Sequence, residues 1–219
     1  YSYLGLLFSN RLSWSKSVQN LVNKANNALS SVKIFSRRLK NISPVVLFKI
    51  FDVQIKPIIL YASEIWGYQQ WYIIEQFHIR FCKYVLGVSY KCSNAAVLAE
   101  CGRNYILVDS LLRVVKYWLK LVFYPRHRYP KQCYIMLCKL DNCNRKTWVY
   151  YVRMTLFKYG FGYVWEAQGV GDENRFLREF HIRVSDCHKQ HIFSEIHDCS
   201  SLDFYSTVKN VFCLEPYLC

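Results

Sequence analysis

The chain has 219 residues, 53% of them hydrophobic and 17% aromatic, with 29 Lys and Arg against 15 Asp and Glu. That length holds one large or two small cored domains, and that composition excludes a disordered tail. Only 8 glycines and 5 prolines exclude a sandwich of many tight turns and leave long periodic stretches between breakers, the pattern of a mainly α protein.

The charge is unevenly placed. Residues 1–129 hold 18 basic and 5 acidic residues, for +13; residues 130–219 hold 11 and 10, for +1. The first acid, Asp52, comes after eight basic residues. A basic field of this kind attracts nucleic acid or an anionic membrane surface. Ten cysteines raise the question of a disulfide framework. The opening "YSYLGLLFSN" has neither a basic leader nor a cleavage site, so the thiols are expected to be reduced, intracellular (cytoplasmic or nuclear) and mostly core-filling. The absence of an initiator Met points to a piece of something longer.

Residues 1–12 read as one short strand ending in a Ser9-Asn10 turn. From Ser15 to Lys40 the apolar residues Leu21, Ala25, Ala28, Val32, Phe35 and Leu39 recur at helical spacing. Lys33, Arg37 and Lys40 fall along one flank of that seam, with Arg38 beside them. Ser43-Pro44 is a helix start, with serine as cap and proline at the first helical position. The following "PVVLFKIFDVQIK" is apolar nearly all round and is expected to be buried, with Asp52 paired locally to Lys49 and Lys56. Pro57 predicts a kink or restart there, with Lys56 pushed out of the α region. The restarted helix should end at Trp66, capped by Gly67.

A lone carboxylate, Glu64, lies within this apolar run. It is expected to pair with a Lys or Arg across a helix interface rather than to act as a catalytic acid. The uncharged run around it is too short for a membrane span, which needs about 20 residues.

Further helices are predicted over 71–86, stopped by Gly87, and within "SNAAVLAECG", capped by Ser93 or Asn94 and ended by Gly102. "ILVDSLLRVVKYWLKLVFY" is amphipathic, with Leu107, Leu111, Val114, Trp118 and Val122 inward and Arg113, Lys116 and Lys120 on another face. Such stripes suit phosphate tracking, and Tyr117 and Trp118 interleave aromatics with the second one. The same helix could instead lie on an anionic membrane surface. "PRHRYP" is a breaker and a boundary, giving segments 1–12, 13–129 and 130–219. Beyond it come helices near 131–140 and 146–159, then a glycine-rich loop from Tyr159. Asp172 is expected to cap a last long helix, and the final 20 residues are read as helical.

No chemistry is assigned to these residues. There is no Asp-Asp pair, no phosphate-binding glycine motif and no dinucleotide fingerprint. Cys187, His188, His191, His197 and Cys199 are close in sequence but include no C-x-x-C knuckle. They are read as solvated histidines and buried thiols, not as a metal site.

Five stretches in order, "YLGLLFSNRLSW", "KANNALSSVKIFSRRL", "SPVVLFKIFDVQIKPIILYASEIWG", "FHIRFCKYVLGV" and "NAAVLAECGR", together resemble the region after the catalytic palm in reverse transcriptases of non-LTR (LINE-like) retrotransposons. Tyr3, Leu4 and Gly5 match that family's Y-L-G strand. Pro57, Leu60, Tyr61, Glu64, Trp66 and Gly67 match a later signature in which Ala62 stands where glycine is usual. The match covers roughly residues 3–103, and the rest is similar to a helical extension carried by some members. The resemblance implies a thumb-like helical bundle, with a short N-terminal strand and a second helical segment, that grips an RNA–DNA template–primer. It implies that the family's catalytic aspartates and their divalent metal belong to an upstream polymerase domain acting in cis. The chain alone should then need no cofactor and should not polymerise DNA. The alternative is a helical protein-interaction module, or a retroelement remnant without activity.

Overall fold

The computed structural model describes residues 1–10, 13–38 and 42–215. It is mainly α-helical, with a single two-stranded N-terminal sheet among the described residues. Two compact units form. One comprises Tyr1–Tyr61, Trp71–Ile106 and His188–Cys219; the other comprises Ala62–Gln70 and Leu107–Cys187.

The first unit opens on a hairpin where one strand is expected. β1 (Ser2–Tyr3) and β2 (Leu6–Leu7) pair antiparallel across Leu4-Gly5, whose φ angles of 47° and 83° are both positive. That is the primed two-residue turn whose twist matches the strands, and Gly5 adopts it without strain. The hairpin is pinned to α1 (Ser15–Arg38) by buried Ser17, whose Oγ accepts from the Leu7 N–H at 2.9 Å and donates to the Leu7 carbonyl.

α1 buries Val18, Leu21, Val22, Ala25 and Leu29 against the π turn and helix described next, and against α5 (Tyr72–Leu86). The predicted seam is buried at Leu21 and Ala25, half-buried at Ala28 and Val32, and fails at Phe35, which is exposed. Leu39 lies outside the described residues.

Ser43 caps α2 (Pro44–Ile50) as expected, accepting from the Val45 N–H. The chain then widens into a π-helical turn (Phe51–Ile55) and continues as α3 (Lys56–Ile59). The Lys56 N–H bonds the Phe51 carbonyl five residues back, so Lys56 stays in the α region at φ −57°, ψ −40°. This corrects the expectation of an extended residue. The wider turn relieves the clash that Pro57 would cause in a regular helix. Burial is also less complete than the sequence implies, because Val45, Val46 and Val53 are exposed.

At the centre of this unit Phe51 stacks on Phe81 at 4.5 Å between ring centroids, and on His78 at 5.4 Å. Asp52 keeps Lys56 at 3.9 Å, but its strong partner is Arg103, which donates through both Nη atoms at 2.7 and 2.5 Å. A pairing across 51 residues leaves no local signal. α5 ends at left-handed Gly87, as predicted, and α6 (Asn94–Glu100) is capped by Ser93. At Gly102 a Cβ would sit 2.7 Å from the backbone of Cys213 and Leu214, where a bridge joins Cys101 to Leu214. Of the final 20 residues, only a 3₁₀ turn (Ser200–Leu202) and α12 (Asp203–Val208) are helical among those described; the helical expectation for residues 216–219 lies outside the described residues.

The second unit is built on α7 (Ile106–Phe123), whose Val114, Trp118 and Leu119 are fully buried. Trp118 stacks on Trp165 at 5.6 Å, and its Nε1 donates to the Tyr134 hydroxyl at 3.1 Å. That hydroxyl donates in turn to Gln168 Oε1 at 2.6 Å. α8 (Tyr129–Asn142) and α9 (Trp148–Lys158) pack together and are clamped by Arg153 on buried Asp141, at 2.9 and 3.1 Å. The expected glycine-rich loop contains α10 (Gly162–Glu166), because Val164 is buried and fixes a turn of helix there. Asp172 caps α11 (Glu173–His197), accepting from the Arg175 N–H at 3.0 Å.

The cysteine expectation also needs correction. Among the described residues all thiols are free, but only Cys82 and Cys101 are buried.

Candidate nucleic-acid interface

The first basic flank lies on α1. This 24-residue helix contains Lys16, Lys24, Lys33, Arg37 and Arg38 and no acidic residue. Lys33 is held in place, its Nζ 4.7 Å above the Tyr84 ring, while Ser36 and the Tyr84 hydroxyl are hydrogen-bonded at 2.8 Å. Arg37 and Arg38 fall in the last turn of α1; their side chains and all of Lys40 lie outside the described residues. Tyr84 carries no mark of this role in the sequence beyond its place near the end of a basic-aromatic helix.

Two stretches that carry the resemblance, far apart in sequence, meet at the hairpin. The Tyr61 hydroxyl donates to the Leu4 carbonyl at 2.7 Å, joining the Y-L-G turn to the stretch after Pro57. A Cβ on Gly5 would lie 3.9 Å from both Tyr61 Cε1 and Lys24 Nζ. Lys24 therefore brings a cation to the turn. Its signal is the Lys-Ala pair, Lys24-Ala25, that the resemblance contains. Tyr3 is exposed beside them, and Pro57 is exposed on α3.

Other signature residues belong to the second unit, within or after α4 (Ser63–Trp66). Trp66 is fully buried. Gly67 is required for space and not for a left-handed cap: its φ is −83°, and a Cβ would meet the Ser63 carbonyl at 2.5 Å and Ser110 Cβ at 2.7 Å. The left-handed residue is Ala62, at φ 52°. Glu64 does not form the expected latch, for its carboxylate is in no ion pair among the described residues. It is the Glu64 backbone carbonyl that ties this turn down, accepting from Trp148 Nε1 at 2.9 Å.

The second basic flank, Arg113, Lys116 and Lys120, is exposed along α7 as predicted. Lys116 borders a cleft of about 580 Å³ that Arg178 and His181 of α11 also line, a guanidinium and an imidazole the sequence did not mark. Lys120 Nζ lies 5.9 Å from the Tyr124 ring, and the Arg128 guanidinium lies 5.0 Å from the same ring. Tyr117 is half-buried, and burial, then Tyr124 and Glu64, push its phenol up from the ordinary range.

The remaining candidates do not assemble into chemistry. Among the described residues no three His, Cys, Asp or Glu side chains converge as metal ligands. His191 instead bonds Glu195 one turn on at 3.2 Å, and His188 packs edge-on against Tyr105. Among the described residues no helix is long and apolar enough to cross a membrane. Most aliphatic residues of α7 are buried in protein, with Leu112 and Val122 half-buried and Phe123 exposed at its end. No protein-family model matches the chain, and no curated protein or solved structure was found similar to it.

Proposed function

We propose that the chain is a template–primer-binding thumb, with its helical extension, of an RNA-directed DNA polymerase of the non-LTR retrotransposon kind. Catalysis and its divalent metal ions would reside in a polymerase domain N-terminal to it in cis. The observation that carries this reading is α1: 24 residues with five cations and no acid, packed along one seam and open along the other. Such a flank attracts a phosphate backbone through charge and counterion release and reads no base. The Tyr61–Leu4 hydrogen bond supports it, because it gives two separate parts of the resemblance one physical role.

The test is binding of the full chain to a labelled RNA–DNA hybrid between 50 and 200 mM salt, read by fluorescence anisotropy. With about five phosphate contacts, the log–log slope should be near −4 to −5. Replacing Lys33, Arg37 and Lys40 together with Gln should flatten it by about two to three units. An unchanged slope removes α1 from the footprint.

A protein-interaction module is the second reading, favoured by the exposed apolar residues Ile34, Phe35, Val45, Val46 and Val53 of the first unit. It predicts no hybrid binding at moderate salt and recovery of a defined protein partner.

A further inference from the structure

The second flank has a different setting from the first. Arg113, Tyr117, Lys120 and Tyr124 fall at spacings of four, three and four, so they share one side of α7 and its end. From Tyr117 the surface continues onto α9, since its ring meets Trp148 edge-on at 5.9 Å. Tyr150 and Tyr151 follow on α9, edge-on to each other at 5.3 Å, and Tyr151 stacks on Tyr68 at 4.3 Å with 13° between the planes. Cations alternate with these rings. Lys120 and Arg128 flank Tyr124, and Lys146 lies 5.8 Å from Tyr150. The rings of Tyr117, Tyr124, Tyr150, Tyr151 and Tyr68 are all half-buried, so each is held by the protein while part of it stays in solvent.

The acids on this surface are few. Asp109 lies one turn before Arg113, Asp141 is taken up by Arg153, and Glu64 is the one carboxylate that acts on Tyr117. Lys120, Arg128 and Lys146 are in no ion pair among the described residues.

We infer that this row of tyrosines and cations on α7 and α9 is a binding surface for single-stranded nucleic acid. A duplex keeps its base faces stacked inside and offers phosphates and groove edges, on which a run of ordered rings cannot stack. A single strand offers base faces and phosphates alternately, and aromatic rings interleaved with cations match both. The inference goes beyond the duplex-binding reading, which rests on α1 in the other unit, and either can stand without the other. A membrane surface is the poorer occupant, because most aliphatic residues of α7 are buried and the tyrosine rings of this row carry hydroxyls.

The experiment uses the full chain and three labelled probes of equal length: a 15-nucleotide oligo(dT), an abasic sugar–phosphate 15-mer of the same charge, and an RNA–DNA hybrid. Oligo(dT) should bind at least about tenfold more tightly than the abasic strand. Replacing both Tyr124 and Tyr150 with Leu should bring that ratio close to one, whereas the double Phe replacement should keep it. Equal affinity of the native chain for oligo(dT) and the abasic strand would overturn the inference, leaving an electrostatic surface without stacking. A Leu variant that is folded by circular dichroism and keeps the ratio would also overturn it. If the Leu variant does not fold, the comparison on the native chain decides alone. Binding to vesicles containing anionic lipid, with none to oligo(dT), would reassign the surface to a membrane. Loss of hybrid binding with oligo(dT) binding intact would count against the thumb reading and not against this one.

Discussion

α1 and α7 carry the same formal pattern, three cations along one flank of an amphipathic helix, and the structure gives them different surroundings. The described cation of the α1 flank, Lys33, has a single ring beside it, Tyr84, and the apolar residues next to it, Ile34 and Phe35, are exposed. The flank of α7 is set among Tyr117, Trp148, Tyr124 and Tyr150. A cationic stripe takes its chemistry from what lies beside it: bare charge tracks phosphates, whereas charge alternating with rings can also hold bases. Charge totals do not separate the two units. The first unit has 15 basic and 7 acidic residues (+8), and the second has 14 and 8 (+6).

The helices also differ in how they are anchored, and this is where the largest effect is expected. α7 adds to its buried aliphatic residues, Val114, Val115 and Leu119 among them, one large side chain, Trp118, fully buried, stacked on Trp165 and hydrogen-bonded to Tyr134. α1 spreads its anchorage over smaller residues, Val18, Leu21, Val22, Ala25 and Leu29. Trp118→Ala should therefore cost about 3–5 kcal/mol in urea denaturation. Val22→Ala should cost about 2 kcal/mol. Equal losses would break the contrast, since they would mean that Trp118 anchors α7 no more firmly than one small aliphatic residue anchors α1.

What is legible in the sequence follows the same division between local and distant. Capping depends on a residue and its immediate neighbours, so Ser43, Ser93, Gly87 and Asp172 are identifiable from the sequence alone. The cationic flanks are legible for the same reason, as spacings within one helix. Their surroundings are not: Tyr84 lies 51 residues from Lys33, and Trp148 lies 31 from Tyr117. The hairpin leaves a weak signal because Leu4-Gly5 lacks the Asn or Asp that usually marks a primed turn. The expected pairing of Glu64 fails because an apolar run shows that a carboxylate needs a partner but not that it can point elsewhere and leave its carbonyl to do the tying.

The next effect separates the units by acid. His78 in the first unit is fully buried, and both of its ring nitrogens lack a hydrogen-bond partner among the described residues. Burial first, then the charges of Arg103 and Lys56, hold its pKa well below the usual 6.5. The unfolded chain takes up a proton below about pH 6.5 and the folded chain does not, so the neutral ring's contribution is present above that pH and is lost as pH falls towards the folded pKa. The loss approaches about 1.4 kcal/mol per pH unit. Stability measured by urea at pH 5 and pH 7 should differ accordingly, and His78→Leu should remove most of the difference at little cost at pH 7. A variant that keeps the full pH dependence would assign it to other groups.

The smallest expected effect bears on the joint between the two stretches of chain, where Tyr61 closes a segment of the first unit and Ala62 opens the second. Ala62 has φ 52° and ψ 26°, a left-handed conformation in which an L-residue's Cβ crowds the following carbonyl. Glycine removes that crowding but adds freedom to the unfolded chain, and the two effects partly cancel. Ala62→Gly should therefore stabilise the protein by about 0.5–1 kcal/mol, read as a higher urea midpoint with an unchanged slope. Ala62→Val should do the reverse and by more, because a β-branched side chain tolerates the left-handed region poorly. The position is also the one at which the resemblance to non-LTR reverse transcriptases expects glycine, so the pair of variants tests a physical reason for that pattern. If glycine destabilises, the left-handed turn is not why glycine belongs there, and the match around Tyr61, Glu64 and Trp66 loses its structural account at its centre.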